Sequence, residues 1–599
     1  MKQNVILTLS LACLLAFPAL AMPPREGVTE PEALRKMRLL GMDSPEGGLI
    51  HQLRAKDPGA KISGNRQYPV VLGYFTDLAA TNTQAEFQTM LFSNASGAKS
   101  VNNYYRDMSY NAMSCSGKVD NWRTSNNTVA YYSVNYGLNG GTTANTYEFI
   151  RKVLVHADST FNFADSNYDK NHDGYVDVLW VVHAGKGAEE GASNIWSHSF
   201  QLDGFGGGAT YYATSDISPF TGTAVRINKY IIMPERTSYS GSGGTTIIGC
   251  GVFCHEFGHA LGLPDLYDTG NQAVAGQGLG NFSVMAGGSW GGNGSSNARP
   301  VALDLWCRRF LGWAAPVRVT SNGFYGIAAI MATASNSSYK MAKLGADTTR
   351  QYWLIENRYR NSPGPVSAVR WDSLLAGQGL AIYHIDSAYA NSTYINNNQM
   401  NRNSTDGSNR NRPLGVALEE TDMTTIGYSS ELWYGNNAGE SDDLWNNGNQ
   451  ATFDSTGTSY PISQRNGTTP TTGGGYTGVK VKNIPAASTA MSCSLIVGVV
   501  TGVGGEPQAA GPLKFGLNQA NPNPVRSRTI ISFQLPGYLE AGLSIFNVLG
   551  QEVKRFELGT LPPGRHSVEW NAAGAKPGVY FFRLTAGGNT AVGKMTVIR

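Results

Sequence analysis

The stretch CHEFGHALGLPDLYD, residues 254 to 268, limits what this chain can become more than any other. On a helix, residues four apart lie on one face, a turn above one another. His255 and His259 therefore present two imidazoles to one point, and the chain has only nine histidines in 599 residues. Ile247, Ile248, Val252, Phe253, Phe257 and Leu261 surround the pair with apolar side chains, so this face is expected to be internal. Gly262 suits the left-handed residue that ends a helix. Pro264 forbids its resumption and keeps Leu263 extended. The chain then turns back, and Asp265, six residues after His259, can aim at the same point. Two imidazoles and one carboxylate suit zinc, with a fourth position left for water, and Glu256 stands where a general base would act on that water. Two other readings stand beside this one. Asp304, on a helix expected at 300–313, could supply the third ligand instead, or the histidines could simply line a solvated helix face.

The pattern His-Glu-x-x-His-x-x-Gly-x-x-Asp resembles the metzincin zinc signature in its aspartate variant. Ser283-Val284-Met285-Ala286-Gly287 is placed to be the methionine turn of that family, the alternative for Met285 being a core filler. Position 287 is glycine, which excludes a tyrosine ligand two residues after the methionine. More widely, HEFGHALGLPDLYD, VDVLWVVHAGKGAEEG, NIWSHSF, YWLIENR, GLAIYHID and VALEE occur in order over residues 68–500, and together they resemble the immune inhibitor A family of secreted bacterial metallopeptidases. The resemblance implies a zinc endopeptidase acting on extracellular proteins, with His255, His259 and Asp265 holding zinc and Glu256 as the base.

Around this centre the chain divides. Residues 1–21 carry Lys2, an apolar run and Ala19-Leu20-Ala21, the plan of a secretory signal peptide. The run is shorter than the ~20 residues of a membrane span. Residues 22–67 read as a prosegment, with a short helix near 31–37. Residues 68–316 alternate strand and helix patterns: strands at 68–75, 176–184 and 225–234, and helices at 84–93, 100–113, 144–157, 245–262 and 300–313. This predicts an α/β zincin (metzincin-like) catalytic domain. From 317 to 500 short strands between Asn/Gly/Ser-rich loops predict a β-rich region continuing the peptidase unit. Residues 501–513 form a Gly/Pro/Ala linker. Residues 514–599 show regularly spaced strands expected to form an immunoglobulin-like β-sandwich. NPNPVRSRTIISFQLP, LSIFNVLGQEV and GVYFFRLTAGG in that last part resemble the sorting domain of the type IX secretion system. This implies a Gram-negative host, a secreted or cell-surface location and outer-membrane secretion machinery as a partner; a generic stalk or adhesion module is the alternative.

A second candidate site is DKNHDGYVD, residues 169–177. Asp169, Asn171, Asp173, the Tyr175 carbonyl and Asp177 have the spacing of an EF-hand-type calcium loop, and Gly174 supplies its turn. Position twelve is Trp180 rather than the bidentate glutamate, so an Asx-rich turn is the competing reading. His183 and His198 lie near strand ends and are expected either to line the cleft or to be structural.

Composition narrows the classes further. A net charge of +3, with no basic cluster, argues against a nucleic-acid partner. Past the signal peptide five cysteines remain, Cys115, Cys250, Cys254, Cys307 and Cys493, too few for a disulfide scaffold though one or two bridges are permitted. The expected protein is a monomeric secreted zinc endopeptidase. Its rival is a surface-exposed binding or adhesion protein built on an inactive zincin scaffold.

Overall fold

A computed structural model describes residues 20–25, 48–57, 59–238, 246–269, 277–294, 296–331, 338–341, 351–396, 399–401, 414–421, 432, 438–453, 479–497, 515–520, 522–536, 539–561 and 564–598. The linker 501–513, the short helix expected near 31–37 and most of the signal peptide lie outside them.

A seven-stranded sheet organises the first half. Its order is Leu20–Ala21, His198–Gln201, Lys229–Thr237, Leu179–Lys186, Gly64–Tyr74 and Met113–Thr124, with Thr246–Ile247 paired to Lys229–Thr237. The last four of the main path run parallel, while His198–Gln201 is antiparallel to its neighbour. Side chains alternate across such a sheet, and here both faces are covered. Val70, Leu72, Trp180 and Val182 face a core shared with helix Cys250–Leu261. Val71, Leu179 and Val181 face the opposite one, closed by helix Thr146–Ala157.

Several elements depart from the sequence expectation. The helix expected at 100–113 stops at Met108, because residues 113–124 form a strand. Their polar, glycine-containing sequence hides it: a Cβ on Gly117 would lie 2.1 Å from the Tyr68 carbonyl of the adjacent strand. The helix expected at 300–313 is only Leu305–Phe310, and that expected at 245–262 begins at Cys250. Leu49–Lys56, within the weakly patterned leader, is helical.

Beyond the first sheet the chain is β-rich. Val317–Arg318, Tyr339–Met341, Gln351–Arg358, Gly379–Asp386 and Val416–Leu418 form a five-stranded sheet. Leu354, Tyr383, Ile385 and Val416 from it enter the same core as the motif helix, so the two regions share one interior. A three-stranded sheet packs on its far side through Trp353, Ile355, Ile382 and Leu495. At the C-terminus a three-stranded and a four-stranded antiparallel sheet bury a common core that includes Ile531, Phe533, Leu543, Ile545, Phe582 and Met595. The charges of strand Glu552–Leu561 interrupt its apolar alternation, which leaves it without a clear strand pattern in the sequence.

Candidate metal centre

Helix Cys250–Leu261 is buried along almost its whole length. It ends at Gly262, whose φ of +108° is the left-handed conformation that a side chain would strain. The Leu263 amide then donates to the Gly258 carbonyl at 3.0 Å, closing the helix end. The reversal brings Asp265 back beside the histidines.

His255, His259 and Asp265 form the one group of three or more His, Cys, Asp or Glu donors, among the described residues, whose ligand atoms all lie within 4.8 Å. His255 Nε2 and His259 Nε2 are 3.0 Å apart, and each lies 3.3 Å from Asp265 Oδ1. Ligand bonds of ~2.0–2.1 Å in a tetrahedron give edges of ~3.3 Å, so the triangle has the size of one face of a zinc site. The far nitrogens are committed elsewhere: the Val284 carbonyl accepts from His255 Nδ1 and the Leu263 carbonyl from His259 Nδ1, both at 2.8 Å. Those bonds fix the tautomer that leaves both Nε2 atoms free of a proton. All four motif side chains, Glu256 included, are at most 1 % exposed.

Electrostatics follow from that burial. Desolvation, joined by the neighbouring His259, lowers the His255 pKa and favours the neutral imidazole a metal requires. Burial by itself would raise Asp265, but the charge and hydrogen bonds of the two imidazoles in their protonated form outweigh it and hold the carboxyl well below its usual range.

Beneath the histidines lies the segment 283–287. A Cβ on Gly258 would meet Met285 Sδ at 2.5 Å, so a glycine in the motif lets the methionine sit against the helix. Asp304 stands apart from the donor group. It caps helix Leu305–Phe310 by accepting from the Cys307 amide at 2.9 Å, and also accepts from Ser283 Oγ at 2.7 Å.

Residues 20–25 run along the open edge of the sheet. Leu20 and Ala21 pair antiparallel with Ser199 and His198, and the Met22 amide donates to the Ser197 carbonyl at 3.2 Å. Trp196 Nε1 donates to the Met22 carbonyl from one side, and Trp290 Nε1, just past segment 283–287, donates to the Pro23 carbonyl from the other. Arg25 lies 3.8 Å from Glu190. An extended chain thus fits between strand His198–Gln201 and the turn segment. Neither tryptophan that lines this groove has a role legible in the sequence, although Trp196 lies in NIWSHSF, one of the segments that carry the resemblance.

His183 and His198 lie outside the donor group. Burial lowers both to about 4, and His198 bonds the Trp196 carbonyl and Tyr230 Oη with its two ring nitrogens. In the loop 169–177 the carboxylates turn to their own backbone. Asp169 accepts from the amides of Asp173 and Gly174, Asp173 from that of Tyr175, and Asp177 from that of Lys170. Asn171 donates its amide to Asp173, and burial raises Asp177 to about 6. Among the described residues, Asp169, Asp173 and Asp177 do not form a converging donor group.

Residues 75–314 match the family described as "Immune inhibitor A peptidase M6, catalytic domain", and residues 519–598 match the "Secretion system C-terminal sorting domain". The chain is 32 % identical over 255 residues to "Pre-pro-metalloprotease PrtV" of Vibrio cholerae serotype O1 (strain M66-2), covering 38 % of this chain and 26 % of that protein. It is 29 % identical over 215 residues to "Immune inhibitor A" of Bacillus thuringiensis subsp. alesti, covering 32 % and 28 %. The match thus spans only about a quarter of either relative's length. A solved structure of PorZ from Porphyromonas gingivalis, described as a surface component of the type-IX secretion system, aligns at 19 % identity. It covers 20 % of this chain and 15 % of that one with a TM-score of 0.12, too low to carry any argument. By its matched segments, the chain joins a peptidase M6 catalytic domain of the immune inhibitor A type to a C-terminal secretion sorting domain.

Proposed function

We propose that this chain is an exported zinc endopeptidase, made as a zymogen, that hydrolyses peptide bonds of extracellular proteins. The observation that carries the reading is the buried triangle of His255 Nε2, His259 Nε2 and Asp265 Oδ1, with both Nδ1 atoms tied to carbonyls. The donor set and its size fit zinc, and the M6 match supports it. The motif helix, the left-handed end at Gly262 and Met285 beneath support a metzincin-like catalytic fold.

Zinc, when bound, supplies a Lewis acid that polarises the scissile carbonyl and acidifies water. His255, His259 and Asp265 would hold it. Glu256, one position round the helix from His255, takes the proton of the attacking water on its carboxylate and passes it to the leaving amine. The substrate enters as an extended strand paired with His198–Gln201, the edge that residues 20–25 occupy in this chain.

The remaining assignments follow the same division: a signal peptide (1–21), a prosegment (22–67), a catalytic domain (68–316), a β-rich extension (317–500), a linker (501–513) and an immunoglobulin-like sorting sandwich (514–599). That last domain would engage the secretion machinery of a Gram-negative outer membrane. No helix among the described residues is long and apolar enough to cross a membrane. At 169–177 the Asx-rich turn is the better supported reading, because the side chains face their own amides. Calcium titration of the metal-free chain separates the two; binding heat would mean that the carboxylates reorient onto an ion.

The deciding experiment is cleavage of a generic unfolded protein by the purified mature chain, beside Glu256→Ala. Activity in the unaltered chain alone is expected. Silence of both, after removal of the prosegment, would favour the surface binding protein.

A further inference from the structure

The three donor side chains come from residues 255–265, yet the turn beneath them is held by a strand of the second sheet. Arg358, fully buried at the end of strand Gln351–Arg358, donates from Nη1 to the Phe282 carbonyl at 2.9 Å. Its Nε and Nη2 form a fork on the Asp372 carboxylate, both at 2.7 Å. Asp372 Oδ1 in turn accepts from the Ala302 amide at 3.0 Å, which ties in the segment leading to Asp304. Two residues past Phe282, the Val284 carbonyl holds His255 Nδ1. Between them, Ser283 Oγ accepts from the Met285 amide at 3.1 Å and donates to Asp304. Behind Arg358, Glu356 receives Arg308 and, at 2.7 Å, Tyr383 Oη.

Two guanidiniums, Arg308 and Arg358, are thus balanced by two carboxylates, Glu356 and Asp372, all at most 1 % exposed. A buried set of this kind seldom stabilises a fold relative to apolar side chains of equal volume, so its contribution must be sought in where it fixes its neighbours. Here the neighbour is the turn whose carbonyl orients a histidine of the donor triangle. A planar bidentate fork suits that task, since it resists rotation in a way a lysine ammonium does not.

We propose that Arg358 is a positioning residue of the metal centre: it clamps Phe282 and Asp372, fixes the 282–285 turn, and through Val284 sets the orientation of His255. The second sheet is then part of the machinery rather than an appended module. This rests on the zinc reading above.

The test measures zinc affinity of the full chain by chelator competition, with thermal stability of the metal-free protein recorded alongside. Arg358→Lys is expected to weaken zinc ~10–100-fold, the range found for partners that orient metal ligands, and to lower kcat more than KM. Ser283→Ala, which cuts the next link of the turn without disturbing the ion network, should shift zinc affinity in the same direction and covers the case in which Arg358→Lys does not fold. Ile382→Ala, buried in the core on the sheet's far side, should lose stability but keep zinc affinity. Unchanged zinc affinity in Arg358→Lys and Ser283→Ala, or an equal loss in Ile382→Ala, would overturn the positioning role while leaving the zinc reading intact. A wild-type chain that binds no zinc would overturn both.

Discussion

Met285 Sδ lies only 2.5 Å from where a β-carbon on Gly258 would stand, so the sulfur and the motif helix touch through the absence of a side chain. In an ordinary helix interior, Gly→Ala stabilises by about 1 kcal/mol. At position 258 the sign reverses, because the added methyl must push the methionine or the helix away. Gly258→Ala should lower the melting temperature and weaken zinc binding; a higher melting temperature with unchanged zinc would show that this contact is slack.

Asp265 and Asp304 separate two roles that the sequence left open. Asp265→Ala should lose bound zinc, measured by elemental analysis of the purified chain. Asp304→Asn keeps an oxygen for the helix cap but loses the buried acceptor for Ser283 Oγ; it should retain one zinc, at a stability cost of about 1–3 kcal/mol. Retained zinc in Asp265→Ala is the outcome that refutes the assignment.

Glu256→Gln preserves the shape of the side chain and removes its basicity. Zinc content should stay the same while the rate of peptide hydrolysis falls ~10²–10⁴-fold, the usual contribution of a placed proton acceptor. A variant that keeps most of its activity would assign the base elsewhere.

Acid stability should carry the signature of buried imidazoles. Burial lowers His183, His198 and His384 to about 4, below the ordinary 6.5. Such a group contributes stability that is present above pH 6.5 and lost as pH falls towards 4, on the order of 3 kcal/mol for a full shift. Glu419, raised by burial to about 7, works in the opposite direction, its contribution being lost as pH rises from 4.5 to 7. Urea unfolding at several pH values should show a shallower acid slope in His198→Gln and a smaller loss towards neutrality in Glu419→Gln. Parallel curves for either variant would contradict its assigned shift.

Cys115, Cys250, Cys254, Cys307 and Cys493 are all free and buried, and burial raises the pKa of Cys115, Cys254, Cys307 and Cys493. A thiol reagent should therefore find none of the five quickly in the folded chain and all five after denaturation. Reductant should leave the melting temperature unchanged. Rapid native labelling would point to local opening of the core.

By itself, the sequence determined what is local. A four-residue spacing places His255 and His259 on one helix face, and Gly262 followed by Pro264 ends that helix at a defined point, because these outcomes depend on backbone geometry over a few residues. The strands Gly379–Asp386 and Gly578–Ala586 were legible for the same reason, from their apolar patterning and bounding turns. Only the tertiary structure decided the rest. That Asp265 joins the histidines while Asp304 caps a helix depends on how the chain folds back, not on residue type. Met113–Thr124 became a strand because the parallel neighbour Gly64–Tyr74 supplied its hydrogen bonds, against a polar sequence with little strand character of its own. Arg358 reads in sequence as one of three charges in YWLIENRYR. Its place under the His255–His259–Asp265 triangle exists only because two sheets share one core, which brings its guanidinium to the Phe282 carbonyl across 76 residues of chain.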